Sequence, residues 1–130
     1  MTETEPKVLV VDDAATVRLY HTKLLGDAGF RVAEAANGLE AVEAALTTAY
    51  DLFVIDVNMP KMNGYACVET LRSETVGTPA PVVMISTEDR LGDADRAYAA
   101  GANLYLVKPV AGERLVGIAR MLTAGRGVGA

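Results

Sequence analysis

The chain has 130 residues, of which 51% are hydrophobic and 22% charged, and its 12 basic and 17 acidic side chains give a net charge of −5. This length and composition fit one globular domain rather than a disordered chain, and the acidic balance argues against a nucleic-acid-binding module. The single cysteine, Cys67, excludes an internal disulfide framework and a multi-thiolate metal site. Neither a secretory signal nor an apolar run of about 18 residues is evident, so we expect a cytoplasmic protein that does not cross a membrane.

The two ends of the chain differ in composition from its middle. Residues 1–6, MTETEP, are polar and acidic, and residues 124–130, AGRGVGA, contain three glycines. We therefore expect a flexible N-terminus over 1–6, one folded domain over 7–123 and a flexible, glycine-rich tail over 124–130.

Short apolar runs without alternation recur along the middle of the chain, and such runs are typical of strands buried on both faces of a parallel sheet. They are expected at residues 8–11, 30–33, 52–55, 82–85 and 104–107.

The segments between these runs have helical spacing of their apolar residues, and a further helix is expected over 90–100. Five strands alternating with five helices predict a doubly wound (βα)5 α/β fold, with a five-stranded parallel sheet and helices on both faces. The stripes expected to face the core in the first two helices are Val17, Tyr20, Leu24 and Leu25, then Leu39, Val42, Ala45 and Leu46.

Polar side chains follow four of the five predicted strands. Because ligands bind outside the carboxyl ends of the strands in such a sheet, these side chains are expected to converge. They are Asp12 and Asp13 after the first strand, Asp56 after the third, Ser86 and Thr87 after the fourth, and Lys108 after the fifth.

The charges of this group call for a cation. Three carboxylates and one ammonium sum to −2, which a divalent ion neutralises. Carboxylate oxygens favour Mg²⁺, with Mn²⁺ as an alternative, and Mg²⁺ commonly shares its ligands with a phosphate. An aspartate of such a site can accept a phosphoryl group, with Lys108 and the Ser86 hydroxyl as stabilisers of the transferring oxygens.

The motifs in this order resemble the receiver domain of bacterial response regulators over residues 7–123, a family with the flavodoxin-like form of this fold. They are VLVVDD at 8–13, ANGLEA at 36–41, LFVIDVNMPKMNG at 52–64, VVMIST at 82–87 and LVKP at 106–109.

The resemblance implies a role for each residue of the motifs. Asp56 is the expected phospho-acceptor. Asp13, Asp56 and the backbone carbonyl of Asn58 are the expected Mg²⁺ ligands, with Asp12 acting through water. Lys108 is expected to pair with the phosphoryl group, and the bond between Lys108 and Pro109 is expected to be cis.

The resemblance also implies a switch and a set of tuning residues. Ser86 and Tyr105 are the expected switch pair, with Tyr105 turning inward as the Ser86 hydroxyl moves toward the phosphate. Asn58, Glu88 and Thr87 are expected to tune dephosphorylation. Within the family the chain most resembles stand-alone, chemotaxis-type (CheY-like) receivers.

The expected partners follow from the same resemblance. A histidine kinase of the CheA type is the expected phosphoryl donor. The downstream protein is expected to bind the face formed by the fourth helix, fifth strand and fifth helix, with the flagellar motor switch as one candidate. We expect a monomer that is not an enzyme in the usual sense, although it assists its own phosphotransfer and autodephosphorylation.

Three other functions remain open. The first is a single-domain receiver in a phosphorelay outside chemotaxis. The second is a Mg²⁺-dependent phosphohydrolase of the haloacid-dehalogenase type, which needs a second Asp two residues after the nucleophile, where this chain has Asn58. The third is a receiver-like constitutive binder, against which the intact acidic set argues.

The lone histidine and the lone cysteine complete the candidates. His21 is expected on the surface or facing a partner, so that the phospho-donating histidine belongs to another protein. Cys67 is expected to pack in the core.

Overall fold

The structure is a computed structural model that describes residues 5–125. The flexible ends expected at 1–6 and 124–130 therefore lie largely outside the described residues. Ten elements alternate as expected: β1 (Lys7–Val11), α1 (Ala15–Asp27), β2 (Arg31–Ala35), α2 (Gly38–Thr47), β3 (Leu52–Asp56), α3 (Gly64–Arg72), β4 (Val82–Ser86), α4 (Asp93–Ala100), β5 (Leu104–Val107) and α5 (Gly112–Leu122).

The five strands form one parallel sheet in the order β2-β1-β3-β4-β5, which confirms the predicted fold. The chain moves outward from β1 to β2 and then returns to the other side of β1 with β3. Strand order therefore reverses between β1 and β3, and a crevice for ligands opens at the carboxyl ends of these two strands.

Helices cover both faces of the sheet because neighbouring residues of each strand point to opposite faces. Leu9, Phe53 and Ile55 belong to the cluster that includes the buried residues of α2, α3 and α4. Val10 and Val54 belong to the cluster that includes those of α1 and α5. Within residues 5–125, no helix combines the length and the apolar character needed to cross a membrane.

The predicted core stripes of α1 and α2 are wrong in part. Tyr20 is 52% exposed and Leu46 55% exposed, whereas α2 buries Gly38 and Ala41. A side chain at Gly38 would bring its Cβ within 2.9 Å of Met62 Cγ, so α2 turns its small residues toward the interior and its leucines outward. Several bounds also differ from the prediction. Strand β1 begins at Lys7 rather than at 8, β2 spans Arg31–Ala35 rather than 30–33, β3 and β4 each end one residue later, and α4 begins at Asp93 rather than at 90.

Candidate functional site

The carboxyl ends of the central strands bring the three predicted acidic residues together. Asp12 and Asp56 are only 3% and 6% exposed, whereas Asp13 is exposed. One carboxylate oxygen of each residue lies within 4.8 Å of the others. The sequence prediction that these groups converge is therefore met by the geometry.

Asp12 is held by the backbone around it. Its N–H donates to Ala35 O at 3.1 Å, and its Oδ1 accepts from the N–H of Ala14 at 2.9 Å, which is an Asx turn. Arg18 of α1 donates to the Asp12 carbonyl at 2.7 Å and pairs with Glu34 at 2.9 Å. Arg18 was not singled out from the sequence, since no local motif links it to Asp12.

Asp56 is positioned by the start of α3. The N–H of Gly64 donates to Val57 O at 2.8 Å, and a Cβ at Gly64 would lie 2.6 Å from Asp56 O. Asn63 caps this helix by accepting from the N–H of Ala66 at 2.9 Å. Glycine is required here because α3 approaches the peptide of the candidate phospho-acceptor too closely for any side chain.

Lys108 brings a cation to the acidic cluster. Its N–H donates to Ser86 O at 2.7 Å, and its Nζ lies 3.0 Å from Asp56 Oδ1 and 3.5 Å from Asp12 Oδ2. The peptide bond that joins Lys108 to Pro109 is cis, as expected.

Burial and charge compete at this cluster. Burial raises the pKa of Asp56 and the Asp12 charge adds to this effect, while the Lys108 hydrogen bond opposes it. Burial alone lowers the pKa of Lys108, but hydrogen bonding to Asp56 and the charges of Asp56 and Asp12 outweigh it, so the net shift is upward. Lys108 therefore stays protonated beside carboxylates that it does not fully neutralise.

The donor set fits a hard divalent cation. All three acidic groups offer carboxylate oxygens, and neither histidine nor cysteine belongs to the cluster. Asn58, whose backbone carbonyl is the fourth predicted contact, follows Asp56 by two residues in the loop before α3 and is exposed. The residues present therefore suit Mg²⁺ or Mn²⁺.

The two predicted switch residues meet at one backbone unit. Ser86 is fully buried, and its Oγ accepts from the N–H of Glu88 at 3.0 Å. The Tyr105 hydroxyl donates to the carbonyl of the same Glu88 at 2.6 Å, with its ring packed against the core. Thr87, between Ser86 and Glu88, is exposed.

A cavity of about 120 Å³ is lined by Val57 and Asn58, the two residues that follow Asp56. The predicted tuning residues Asn58 and Glu88 line this cavity. Arg90, which also lines it, forms an ion pair with Glu88 at 2.5 Å. Tyr65 of α3 and Arg96 of α4 also line it, and neither was singled out from the sequence, since no local motif links residues of two separate helices. The full lining is Val57, Asn58, Asn63, Tyr65, Glu88, Arg90, Asp93 and Arg96.

The expectation for His21 is wrong. Its side chain is buried, in an apolar cavity of about 200 Å³ that Val17, Ile85 and Pro109 also line. Burial lowers its pKa, so the ring is neutral near pH 7. Cys67 is buried as predicted, and burial raises the pKa of its thiol to about 12.

Comparison with known proteins identifies the family. Residues 8–120 match the model of the response regulator receiver domain. The chain is 37% identical to the transcriptional regulatory protein PrrA of Mycobacterium tuberculosis over 124 residues, which are 95% of this chain and 52% of PrrA. The chain thus spans about half the length of that relative.

Solved structures give the same result. The Vibrio cholerae chemotaxis protein CheY4 superposes with a TM-score of 0.85 and 35% identity, covering 91% of this chain and 98% of that one. The receiver domain of the Pseudomonas aeruginosa sensor histidine kinase PA1611, with magnesium in its active-site cleft, gives a TM-score of 0.83 and 27% identity over 91% of this chain and 97% of that one.

The chain belongs to the response regulator receiver family of two-component signalling. This membership confirms the resemblance found in the motifs, and it supports a signalling switch over a phosphohydrolase of the haloacid-dehalogenase type.

Proposed function

We propose that this chain is a phosphorylation-switched receiver in which Asp56 accepts a phosphoryl group from a phosphohistidine of a partner kinase. Asp13, Asp56 and the backbone carbonyl of Asn58 hold Mg²⁺, and Asp12 acts through water. The observation that carries this proposal is the position of the Lys108 ammonium, 3.0 Å from a buried Asp56 carboxylate inside an acidic cluster.

The transfer forms one bond and breaks another. A carboxylate oxygen of Asp56 attacks phosphorus, the P–N bond to the donor imidazole breaks, and the imidazole keeps the electron pair and takes up a proton. Lys108 neutralises charge on the transferring oxygens, and bound Mg²⁺ supplies the rest of the charge compensation. The product is an aspartyl phosphate, an acyl phosphate open to attack by water.

The switch follows from the hydrogen bonds of Glu88. A phosphoryl group on Asp56 adds acceptor oxygens. The Ser86 hydroxyl can donate to one of them, and when its Oγ moves toward the phosphate to do so, the bond that the Oγ accepts from the Glu88 N–H lengthens. Because the Glu88 carbonyl holds the Tyr105 hydroxyl, the change reaches β5 and the face formed by α4, β5 and α5. The result is a shift in population between two arrangements of this face.

Asn58, Glu88 and Thr87 tune the loss of the phosphoryl group in this proposal. Asn58, two residues after Asp56, and Glu88 line one cavity, and Thr87, which precedes Glu88, is exposed. Bulk and charge at these positions control the approach of water. Autodephosphorylation therefore sets how long the phosphorylated state lasts, and it does not turn over an external substrate.

Incubation with acetyl phosphate and Mg²⁺, followed by intact-mass measurement, tests this function. We expect one transient phosphoryl adduct that is absent with EDTA and in Asp56→Asn. Asp89→Asn removes an exposed carboxylate of the β4–α4 loop and keeps the adduct, which makes it the matched control. Failure to form an adduct with any phosphoryl donor contradicts the proposal, and steady phosphate release from varied phosphomonoesters supports the hydrolase.

Chemotaxis is the circuit that we favour, with a CheA-type kinase in the cytoplasm as donor and a monomeric receiver. Asn58, Glu88 and Tyr105 and the similarity to CheY4 support it. The similarity to PrrA supports the alternative, a receiver outside chemotaxis. Binding of a flagellar switch peptide by phosphorylated and unmodified protein separates the two. Tighter binding after phosphorylation supports chemotaxis, and equal or absent binding supports another circuit.

A further inference from the structure

Helix α4 has a weak apolar anchor. Of its eight residues, Asp93–Ala100, only Ala97 and Ala100 are buried, and alanine side chains bury little apolar area. Gly92 and Gly101 flank the helix in left-handed conformations, with φ of 92° and 115°. Polar contacts are therefore expected to contribute much of the attachment of α4 to the rest of the domain.

One of these contacts joins α4 to α3. The guanidinium carbon of Arg96 lies 4.1 Å from the centre of the Tyr65 ring, which is a cation–π stack. The Tyr65 ring is buried, and its hydroxyl donates to the carbonyl of Asp93, the first residue of α4, in a long bond of 3.5 Å. A single side chain of α3 thus contacts α4 at both ends of its first turn.

The opposite side of α4 contacts the switch strand. The Tyr98 hydroxyl accepts from the backbone N–H of Tyr105 at 3.3 Å. Tyr65 and Arg96 line the same cavity as Glu88, whose carbonyl holds the Tyr105 hydroxyl. The stack is therefore one of several polar contacts of α4, and another of them reaches the switch residue itself.

We propose that Arg96 and Tyr65 are positioning residues of the switch: their stack holds α4 against α3 and so sets the arrangement of Tyr105 on Glu88. The proposal rests on the proposed function in giving Tyr105 the role of a switch. The effect of the stack on α4 does not depend on phosphorylation, so the positioning role and the proposed function can be tested separately.

Hydrogen exchange in the Asp56→Asn background tests the stack without phosphorylation. We expect Arg96→Ala to speed amide exchange of residues 93–100 by about two- to five-fold, the loss expected for an exposed cation–π contact. Tyr65→Phe keeps the ring and loses only the long hydroxyl bond to Asp93, so it is expected to stay near the parent rate. Tyr65→Leu removes the stack together with that bond and some core packing, so it is expected to speed exchange at least as much as Arg96→Ala. The double variant with Tyr65→Leu and Arg96→Ala is expected to be no faster than Tyr65→Leu alone, since the stack is already lost in that variant.

Arg114→Ala is the matched control, because Arg114 is an exposed arginine on α5. A second measurement follows the switch residue: ¹⁹F resonances of fluorotyrosine-labelled protein, with Tyr105 assigned by Tyr105→Phe. Arg96→Ala is expected to shift or split the Tyr105 resonance, and Arg114→Ala to leave it unchanged. If Arg96→Ala matches Arg114→Ala in both measurements, the proposal is overturned. Absence of a phosphoryl adduct on the wild-type protein instead contradicts the proposed function and leaves the exchange result standing.

Discussion

Ser86 and Tyr105 are joined through the backbone of a single residue, Glu88. The Ser86 Oγ accepts from the Glu88 N–H at 3.0 Å, and the Tyr105 hydroxyl donates to the Glu88 carbonyl at 2.6 Å. The two side chains come from neighbouring strands, β4 and β5. A change in the Ser86 hydrogen bond therefore reaches Tyr105 through one residue of the β4–α4 loop.

This relationship predicts the effect of Ser86→Ala. Loss of the Oγ leaves the Glu88 N–H without its acceptor, at a cost of about 1 kcal/mol in the free energy of unfolding. We expect faster amide exchange over residues 87–92 and slower accumulation of the phosphoryl adduct. Ser73→Ala also removes one hydroxyl hydrogen bond, that to Thr70 O, but far from the loop. Equal exchange over 87–92 in the two variants would refute the coupling.

Gly64 and Gly117 give opposite predictions for the same substitution. Gly64→Ala places a Cβ 2.6 Å from Asp56 O, so we expect a loss of about 1–3 kcal/mol and slower phosphorylation. Gly117→Ala lies within α5 and meets nothing within 4 Å, so we expect a gain of about 0.5–1 kcal/mol. Urea unfolding measures both, and a Gly64→Ala protein as stable as Gly117→Ala contradicts the close approach.

Arg72 of α3 joins the segment before β4 to the segment before β5. Its guanidinium donates to the carbonyls of Thr78, Ala80 and Gly101 and to Asn103 Oδ1. Arg72→Ala leaves several carbonyls without a donor, so we expect a loss of about 3 kcal/mol in the free energy of unfolding. The control Arg114→Ala is expected to change stability by less than about 0.5 kcal/mol. A similar small change in Arg72→Ala would show that the network contributes little.

The sequence predicted the sheet well and the surface helices less well. The runs that became β1, β3, β4 and β5 are apolar throughout or nearly so, although the edge strand β5 buries only Leu106, and the acidic residues that follow β1 and end β3 converge as expected. The edge strand β2 carries Arg31 and Glu34 among smaller apolar residues, so its bounds were less clear from the pattern.

Features set by tertiary packing were not visible in the pattern. A stripe rule favours large apolar residues, so it chose Leu39 and Leu46 over Gly38 and Ala41, which α2 buries against α3. The same rule missed His21, which is polar and yet buried, together with Leu25 of α1. The stack of Arg96 on Tyr65 joins residues of two helices, and neither residue carries a local signal of the contact.

Burial of His21 predicts a pH-dependent stability. Burial lowers its pKa and the charge of Lys108 adds to this effect, while Asp12 opposes it; Tyr20 packs beside the ring. The folded state therefore resists protonation. The free energy of unfolding carries no penalty from His21 above the pKa of its side chain in the unfolded chain, about 6.5. It decreases as pH falls from there through the lowered pKa of the folded state. In EDTA, His21→Leu is expected to lose less stability than wild type between about pH 8 and pH 5. An identical loss in both proteins would exclude His21 as the cause.

The charge of the acidic cluster predicts the effect of metal removal. Because burial raises the pKa of Asp56, the ionised carboxylate is disfavoured in the folded protein. The free energy of unfolding is therefore undiminished by Asp56 below the pKa of this group in the unfolded chain, and it falls as pH rises through the raised pKa of the folded state. At pH 7 the charge on Asp56 thus lowers the stability of the metal-free protein. In EDTA we expect Asp56→Asn to melt at a higher temperature than wild type. Added Mg²⁺ is expected to raise wild type more than the variant, and equal shifts would place the ion elsewhere.

Fragment mass spectrometry of the phosphorylated protein tests the central claim most directly. After reaction with acetyl phosphate and Mg²⁺, we predict one phosphoryl group on the peptide that contains Asp56, and none in Asp56→Asn or with EDTA. A phosphoryl group on another residue, or an adduct that persists unchanged in Asp56→Asn, would contradict the account.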